Sequence, residues 1–242
     1  MDRSWLFPLS SARKFKNVIT GLVIAGIPAL LVFKEPDLGN ALSILAIWGV
    51  VSIIAGFKLR HATILVAVIV FLILIGFEFL SPYQKNRIES FANPNSDPLG
   101  TGYNVLQSQI AAGSGGIFGK GLGKGSQSQL NFLPEAESDF IFASFVEQLG
   151  FLGAALLLSL YIYLIYRILS FDYSIDTFSK LLVTGTCSFM AFQFFVNVGM
   201  NLGLLPVTGI TLPLVSYGGS SLVSTLFLLG IVSSIKRYQM LN

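Results

Sequence analysis

Leu133-Pro134-Glu135-Ala136-Glu137-Ser138-Asp139 runs straight into Phe140–Leu169, an apolar segment in which Glu147 and Arg167 are the only charged residues. That junction, a polar turn rich in carboxylates set against a long apolar run, decides the fold class. Five further apolar segments stand out, Val18–Phe33, Ala41–Phe57, Ala62–Leu80, Leu181–Met200 and roughly Gly209–Ile235. Most reach the roughly 17–25 residues that a helix needs to cross a hydrocarbon core of about 30 Å. Of the 242 residues, 53% are hydrophobic and 11% charged, and the mean hydropathy is +0.74. Soluble domains carry about 25% charged residues. The composition predicts an all-α integral membrane protein of about six transmembrane helices in one polytopic domain.

Ser81–Asp139 is the one long polar passage. Structureless connections beyond about 15 residues are uncommon unless functional or disordered. Tyr103, Leu106 and Ile110 recur at helical spacing, which argues for short amphipathic helices here rather than a disordered linker. With the N-terminus cytoplasmic, only Lys34, Lys85, Arg87, Lys120 and Lys124 of the 15 Lys and Arg residues lie outside. The short inner connections are basic, as the positive-inside rule requires, so the long loop faces out. The first span reads as retained rather than as a cleaved signal, since no small-residue cleavage site follows it.

Several chemistries are excluded. The net charge of +3 follows from the topology and gives no reason to expect nucleic acid. Cys187 is the sole cysteine, so no intramolecular disulfide forms. His61, the sole histidine, falls on the inner face, which removes histidine bases, histidine metal sites and Ser-His-Asp or Cys-His arrangements from the loop. The glycines around Gly119-Lys120-Gly121 and Gly123-Lys124 do not make a nucleotide-binding loop. The required upstream positions hold Ser114 and Phe118, and no hydroxyl residue follows either lysine. A milder role stays open, in which glycine amides with Lys120 and Lys124 hold a pyrophosphate; the alternative is a loop whose lysines meet lipid head groups.

Glu135, Glu137 and Asp139 stand at alternate positions, sharing a face if extended. Acids before a helix are also stabilised by its dipole, with Ser138 a natural N-cap. Glu147, two turns on, is either functional or one half of a buried pair, because an ionisable group inside a span is costly. Asp37, in Lys34-Glu35-Pro36-Asp37-Leu38-Gly39, either caps the second helix or contributes to an outward polar site. The Gly203–Gly209 and Pro213–Ser221 blocks interrupt an apolar stretch. Irregular backbone at membrane depth survives only inside protein or beside a polar cavity, so the final helix is expected to be broken next to one.

Read together, these blocks resemble a known family. Pro36-Asp37-Leu38-Gly39, Asn93-Pro94 through Gly102-Tyr103, Gly113-Ser114-Gly115-Gly116, Gly119-Lys120-Gly121, Leu133-Pro134-Glu135 and Asp139-Phe140-Ile141-Phe142 occur in order. With the Gly203–Gly209 and Ser216–Ser221 blocks, the set resembles the shape, elongation, division and sporulation (SEDS) family, its rod-shape (RodA) branch more than its division (FtsW) branch. The match runs from about Ile24 to Lys236 and corresponds to the last six of the family's usual ten spans. A fragment, a truncated product or a subunit needing a second piece is therefore expected. The usual His-Thr before the key aspartate is Glu137-Ser138 here.

The resemblance implies a peptidoglycan glycosyltransferase of cell elongation, polymerising a lipid-linked disaccharide-peptide (lipid II) on the outer face of the bacterial cytoplasmic membrane. Its implied partner is a penicillin-binding transpeptidase. Asp139 would be catalytic. Glu135, Arg87, Lys120, Lys124, Asp37, Ser216 and Tyr217 are the substrate-binding candidates. No cofactor is expected, and a divalent cation is left open. Two rival readings are a lipid-precursor flippase or transporter, suggested by broken helices and Glu147, and a non-catalytic membrane scaffold.

Overall fold

The computed structural model describes residues 15–57, 81–93, 100–170 and 176–240, and all regular structure among them is helical. The expected span over 62–80 and the inner turn with His61 lie outside the described residues. Phe15–Lys34 (α1) and Leu38–Ile54 (α2) form an apolar pair. Asp37 caps α2, its carboxylate accepting from the Asn40 backbone N–H at 2.9 Å and from Asn40 Nδ2 at 2.8 Å.

The long polar passage holds three helices. Pro82–Ala92 (α3) opens with a capping box in which Ser81 and Gln84 satisfy each other's backbone N–H groups. Thr101–Ser114 (α4) follows, and Ser126–Gln129 (α5) is a single turn. The buried face of α4 is Gly102, Val105, Ser108 and Ala111. Tyr103 and Leu106, which suggested the helix, are only half-buried, and Ile110 is exposed. The periodicity was right and the face rotated, because small residues let this helix approach its neighbours.

Among the described residues, three helices are long and apolar enough to cross a membrane. They are Ile141–Leu169 (α6), Thr177–Asn201 (α7) and most of Gly219–Met240 (α8). The last span was expected from about Gly209, but helix begins only at Gly219. The backbone between Asn201 and Gly219 is irregular, with Leu214 at a positive φ of 65°. Apolar side chains such as Phe151, Leu156, Leu160 and Phe227 point outward, as lipid-facing surface does.

The chain divides into two compact units. The first comprises residues 1–80, 167–190 and 227–242, and the second 81–166 and 191–226. In the first, α7 passes close to α2, with Gly185 facing Val51 and Ile47. In the second, Val105, Ala111, Leu133, Phe140, Ala143, Met200 and Val207 make one core cluster. Phe142, Ala154, Leu157, Tyr161 and Leu212 make another. The Tyr161 ring stacks on Phe194 with centroids 4.5 Å apart, and its hydroxyl donates to the Pro213 carbonyl.

Helix α6 is two helical pieces joined at Gly150, whose φ is 68° and ψ −166°. A break strands carbonyls of the first piece and N–H groups of the second. The glycine-rich loop after α4 supplies partners for both. Lys120 N–H donates to Glu147 O and Gly121 N–H to Gln148 O, each at 3.0 Å. Gly116 O accepts from Phe151 N–H at 2.8 Å and Ile117 O from Leu152 N–H at 3.1 Å. The approach admits no side chain. A Cβ on Gly119 would stand 2.1 Å from Gln148 O, and one on Gly150 would stand 2.3 Å from Gly119 N. These glycines serve a backbone-to-backbone splice.

Candidate functional site

Asp139 sits at the end of a compact turn, just before α6. The turn is organised around Glu135, which adopts a left-handed φ of 53°. Its carbonyl accepts from Ser138 N–H at 3.2 Å and from Phe140 N–H at 3.0 Å, and its carboxylate from the Ser138 hydroxyl at 2.7 Å. A positive φ at a residue other than glycine is strained and persists only where surrounding contacts over-determine it. Ser138 therefore does not cap α6, as the sequence had suggested. That function comes from across the unit, where Asn201 Oδ1 accepts from the Ala143 N–H at 2.9 Å.

The same Asn201 fixes Asp139. Its Nδ2 donates to the Asp139 carbonyl at 3.0 Å, and Asn197 Nδ2 donates to that carbonyl at 2.9 Å and to Ile210 O at 2.7 Å. Both asparagines are fully buried on α7, one helical turn apart. From the irregular 202–218 segment, the Ser216 hydroxyl donates to Ser138 O at 2.6 Å while accepting from Leu212 N–H at 2.7 Å. Tyr217 N–H donates to Glu137 O at 2.8 Å. The main chain on both sides of the Asp139 side chain is thus pinned, and the half-buried carboxylate projects from a fixed base.

Arg87, on α3, reaches the same place. The Cβ position of Gly209 lies 3.6 Å from Asp139 Oδ2 and 3.6 Å from both terminal nitrogens of Arg87. Arg87 stacks over the Tyr83 ring, 4.4 Å from its centroid, and donates to the Tyr83 hydroxyl. Its Nε is buried and has no hydrogen-bond partner. A carboxylate and the terminal nitrogens of a guanidinium therefore converge on one glycine. Beside them, a cleft of about 260 Å³ is walled by Asn131, Pro134, Glu135, Glu137, Ser138 and Tyr217. Asp139 does not line it. Glu135, Glu137 and the largely exposed Tyr217 ring do.

Glu147 belongs to a separate station. Its carboxylate is fully buried and accepts from Lys120 Nζ at 2.8 Å, Gln127 N–H at 2.9 Å, Ser128 N–H at 3.1 Å and the Ser128 hydroxyl at 3.0 Å. The Ser126 hydroxyl lies 3.3 Å away. This is the buried-pair reading of Glu147, and it leaves no unmet acceptor to attract a transported ion. It also redefines Lys120, whose ammonium is held by Glu147 and Ser126. The amides of Gly119, Lys120, Gly121, Gly123 and Lys124 all have protein acceptors, so the loop is not an open anion nest. The Lys124 side chain is exposed.

Of the sequence-derived candidates, the structure brings together Asp139, Glu135, Arg87, Ser216 and Tyr217. Lys120 and Lys124 lie on the spliced loop, and Asp37 is a helix cap in the other unit. Among the described residues, no three His, Cys, Asp or Glu side chains gather as a metal site. Asn197 and Asn201 were missed. Their signal was present, as two amides four residues apart in an apolar span, a spacing that puts both on one helix face.

The model of the FtsW/RodA/SpoVE cell cycle protein family matches residues 9–241. The chain belongs to this family. It is similar to the peptidoglycan glycosyltransferase MrdB of Escherichia coli K12, 42% identical over 226 residues, covering 93% of this chain and 61% of MrdB. It is also similar to the stage V sporulation protein E of Bacillus subtilis, 39% identical over 210 residues, covering 86% of this chain and 57% of that protein. Among solved structures, it aligns with a chain of a peptidoglycan synthase complex that coordinates polymerization and crosslinking. The TM-score is 0.75 and the identity 30%, over 95% of this chain and 66% of that one. It also aligns with the rod shape determining protein RodA of Thermus thermophilus, with a TM-score of 0.61, 27% identity, and coverage of 95% and 60%. The chain spans about three fifths of the length of MrdB. Membership confirms the resemblance drawn from the ordered motifs, and the all-helical membrane fold agrees with it.

Proposed function

We propose that this chain carries the catalytic part of a peptidoglycan glycosyltransferase, polymerising a lipid-linked disaccharide-peptide on the outer face of the cytoplasmic membrane. The observation that carries the reading is the convergence of Asp139 and Arg87 on Gly209 in a chain belonging to the FtsW/RodA/SpoVE family. The relative MrdB is named a peptidoglycan glycosyltransferase, which supports the same reaction class.

In the proposed step, an acceptor sugar hydroxyl attacks the anomeric carbon of a glycan still joined to lipid pyrophosphate. The new C–O bond forms as the bond to the pyrophosphate oxygen breaks, inverting the anomeric carbon. The hydroxyl proton passes to the Asp139 carboxylate, a task that requires hydrogen-bond reach. The leaving pyrophosphate gathers charge, and the Arg87 guanidinium, whose terminal nitrogens lie 3.6 Å from the Gly209 Cβ position, receives it. Fixed donors at such a point are commonly the largest single contribution to catalysis. The cleft walled by Glu135, Glu137 and Tyr217 accepts sugar hydroxyls. Ser216 holds that wall in place, and exposed Lys124 is a further cation for the head group. Lys120 is assigned to Glu147 and Asp37 to capping. A crosslinking transpeptidase as partner is supported by the synthase complex to which the chain is similar.

The test is Asp139→Asn, in membranes supplied with labelled lipid-linked substrate. Polymer should be lost at unchanged expression. Polymerisation at the unaltered rate would remove Asp139 from the mechanism.

A further inference from the structure

The glycine-rich loop carries three large apolar side chains that stay exposed among the described residues. Ile117 is 61% exposed, Phe118 79% and Leu122 74%. They flank the splice to α6, where Gly116 and Ile117 bond to Phe151 and Leu152. The outward apolar surface of α6 begins at this same point. Phe151 and Leu152 are exposed, followed by Leu156 and Leu160, whereas no large apolar residue of the first piece, 141–149, is exposed. The loop's apolar tip is therefore continuous with the lipid-facing side of a membrane helix.

Length fixes the depth. The 29 residues of α6 would rise about 43 Å, well beyond a hydrocarbon core of about 30 Å. The second piece alone, from Phe151 to Leu169, rises about 28 Å and ends with Arg167 in its last turn. The core is thus filled by 151–169, and the break at Gly150 marks its outer edge. Irregular backbone facing lipid is excluded from hydrocarbon because its polar groups go unmet. At the splice they are met, since the N–H groups of Gly119, Lys120 and Gly121 and the carbonyls of Gly116 and Ile117 are all bonded. Lys124, exposed beside Leu122, suits a phosphate-rich head-group layer, where a lysine keeps its stem in apolar surroundings and its ammonium in water.

We infer that residues 117–122 form a foot that inserts Ile117, Phe118 and Leu122 into the outer leaflet of the bilayer the chain spans. The glycine splice locks the foot at the depth of Gly150. Glu147 and Lys120 then lie just above the hydrocarbon rather than within it, and the Asp139 turn stands roughly 14 Å above the core edge, counting helical rise from Gly150 to Ile141. The foot sets the height at which the turn is presented over a membrane-anchored substrate.

Nitroxide labels at Phe118→Cys and Leu122→Cys test this, each in a Cys187→Ser background of the full chain. The samples are nanodiscs of phosphatidylcholine and phosphatidylglycerol, with Leu156→Cys as the lipid reference and Glu89→Cys as the water reference. Collisional relaxation by oxygen and by a neutral nickel chelate gives the depth. The oxygen-to-nickel accessibility ratio at 118 and 122 should exceed that at 89 several-fold and approach that at 156. A ratio at both sites equal to the water reference overturns the foot. So does low accessibility to both agents, which would mean that protein covers the patch. The measurement does not require polymerisation, so it stands or falls apart from the role of Asp139.

Discussion

Glu147 resolves, of the two readings its sequence position left open, as one half of a buried pair, and replacing it tests the splice directly. In Glu147→Ala, the buried N–H groups of Gln127 and Ser128 lose their acceptor, and Lys120, only 29% exposed, loses its counter-charge. A buried donor left unmade costs about 1–3 kcal/mol. Removing one partner of a buried ion pair costs about 3–5 kcal/mol, because the other charge stays behind. These overlap, since one carboxylate serves all the donors, and water entering the vacated space offsets part of them. About 3 kcal/mol for opening residues 115–128 is the resulting expectation, or about a hundredfold in the opening equilibrium. Hydrogen exchange of the chain in nanodiscs reads this out, with amides 119–128 exchanging about a hundredfold faster and those of α6 beyond Gly153 unchanged. Glu147→Gln keeps an acceptor oxygen and should have a smaller effect. Adding Lys120→Met to it should cost less than Lys120→Met alone, because the ion pair is already gone. If Glu147→Ala leaves protection across 119–128 unaltered in a folded chain, the carboxylate does not clamp the loop and the reasoning fails.

Gly119→Ala sets a Cβ against the Gln148 carbonyl, a backbone atom that cannot swing aside, so it should raise exchange across the same loop and lower the thermal midpoint, at a cost of about 1–3 kcal/mol. Arg87→Met should reduce polymerisation about 10²–10³-fold, the scale for losing one charge-stabilising donor group, in the labelled-substrate assay. Arg87→Lys should recover only part, because an ammonium cannot reproduce the planar fork of donors. Asn201→Leu should lower the thermal midpoint, since the Ala143 N–H is left unmet at about 1–3 kcal/mol. Asn201→Asp keeps the acceptor for Ala143 but no longer donates to Asp139 O, so activity should fall further than stability does.

The fold class was legible because apolar run length is a local property of the chain. The helix at Thr101–Ser114 was legible for the same reason, although its buried face was not. Which side of a helix is covered depends on what approaches it, and here Ser108 donates to Asn201 O, 93 residues away. The carboxylate turn was visible as Glu135, Glu137 and Asp139, but its conformation was not. Extended spacing placed all three acids on one face. The left-handed Glu135 and the pinning by Ser216, Tyr217, Asn197 and Asn201 instead put Glu135 and Glu137 on the cleft and Asp139 beside Arg87. The glycine loop was read as a candidate anion cradle because glycine amides are free in a sequence. In the folded chain those amides are consumed by a helix break that only Gly150 betrays, and a single glycine in an apolar run is ordinarily a packing feature.

The two acids at the start of α6 show what further information separates a structural carboxylate from a reactive one. Both Asp139 and Glu147 are acids beside or within an apolar helix, and by residue type alone Glu147 is either functional or one half of a buried pair. Counting the donors on Glu147 decides for the buried pair. Glu147 is fully buried and receives N–H, hydroxyl and ammonium donors on both oxygens, so any incoming substrate would have to displace a bond already made. Asp139 is held through its main-chain carbonyl, which fixes the base from which its side chain projects. Its carboxylate and the Arg87 guanidinium both come within 3.6 Å of the Gly209 Cβ position. A half-buried group anchored by its backbone suits proton transfer. A group saturated at its oxygens suits holding a loop, and in this chain that loop is the one carrying the foot.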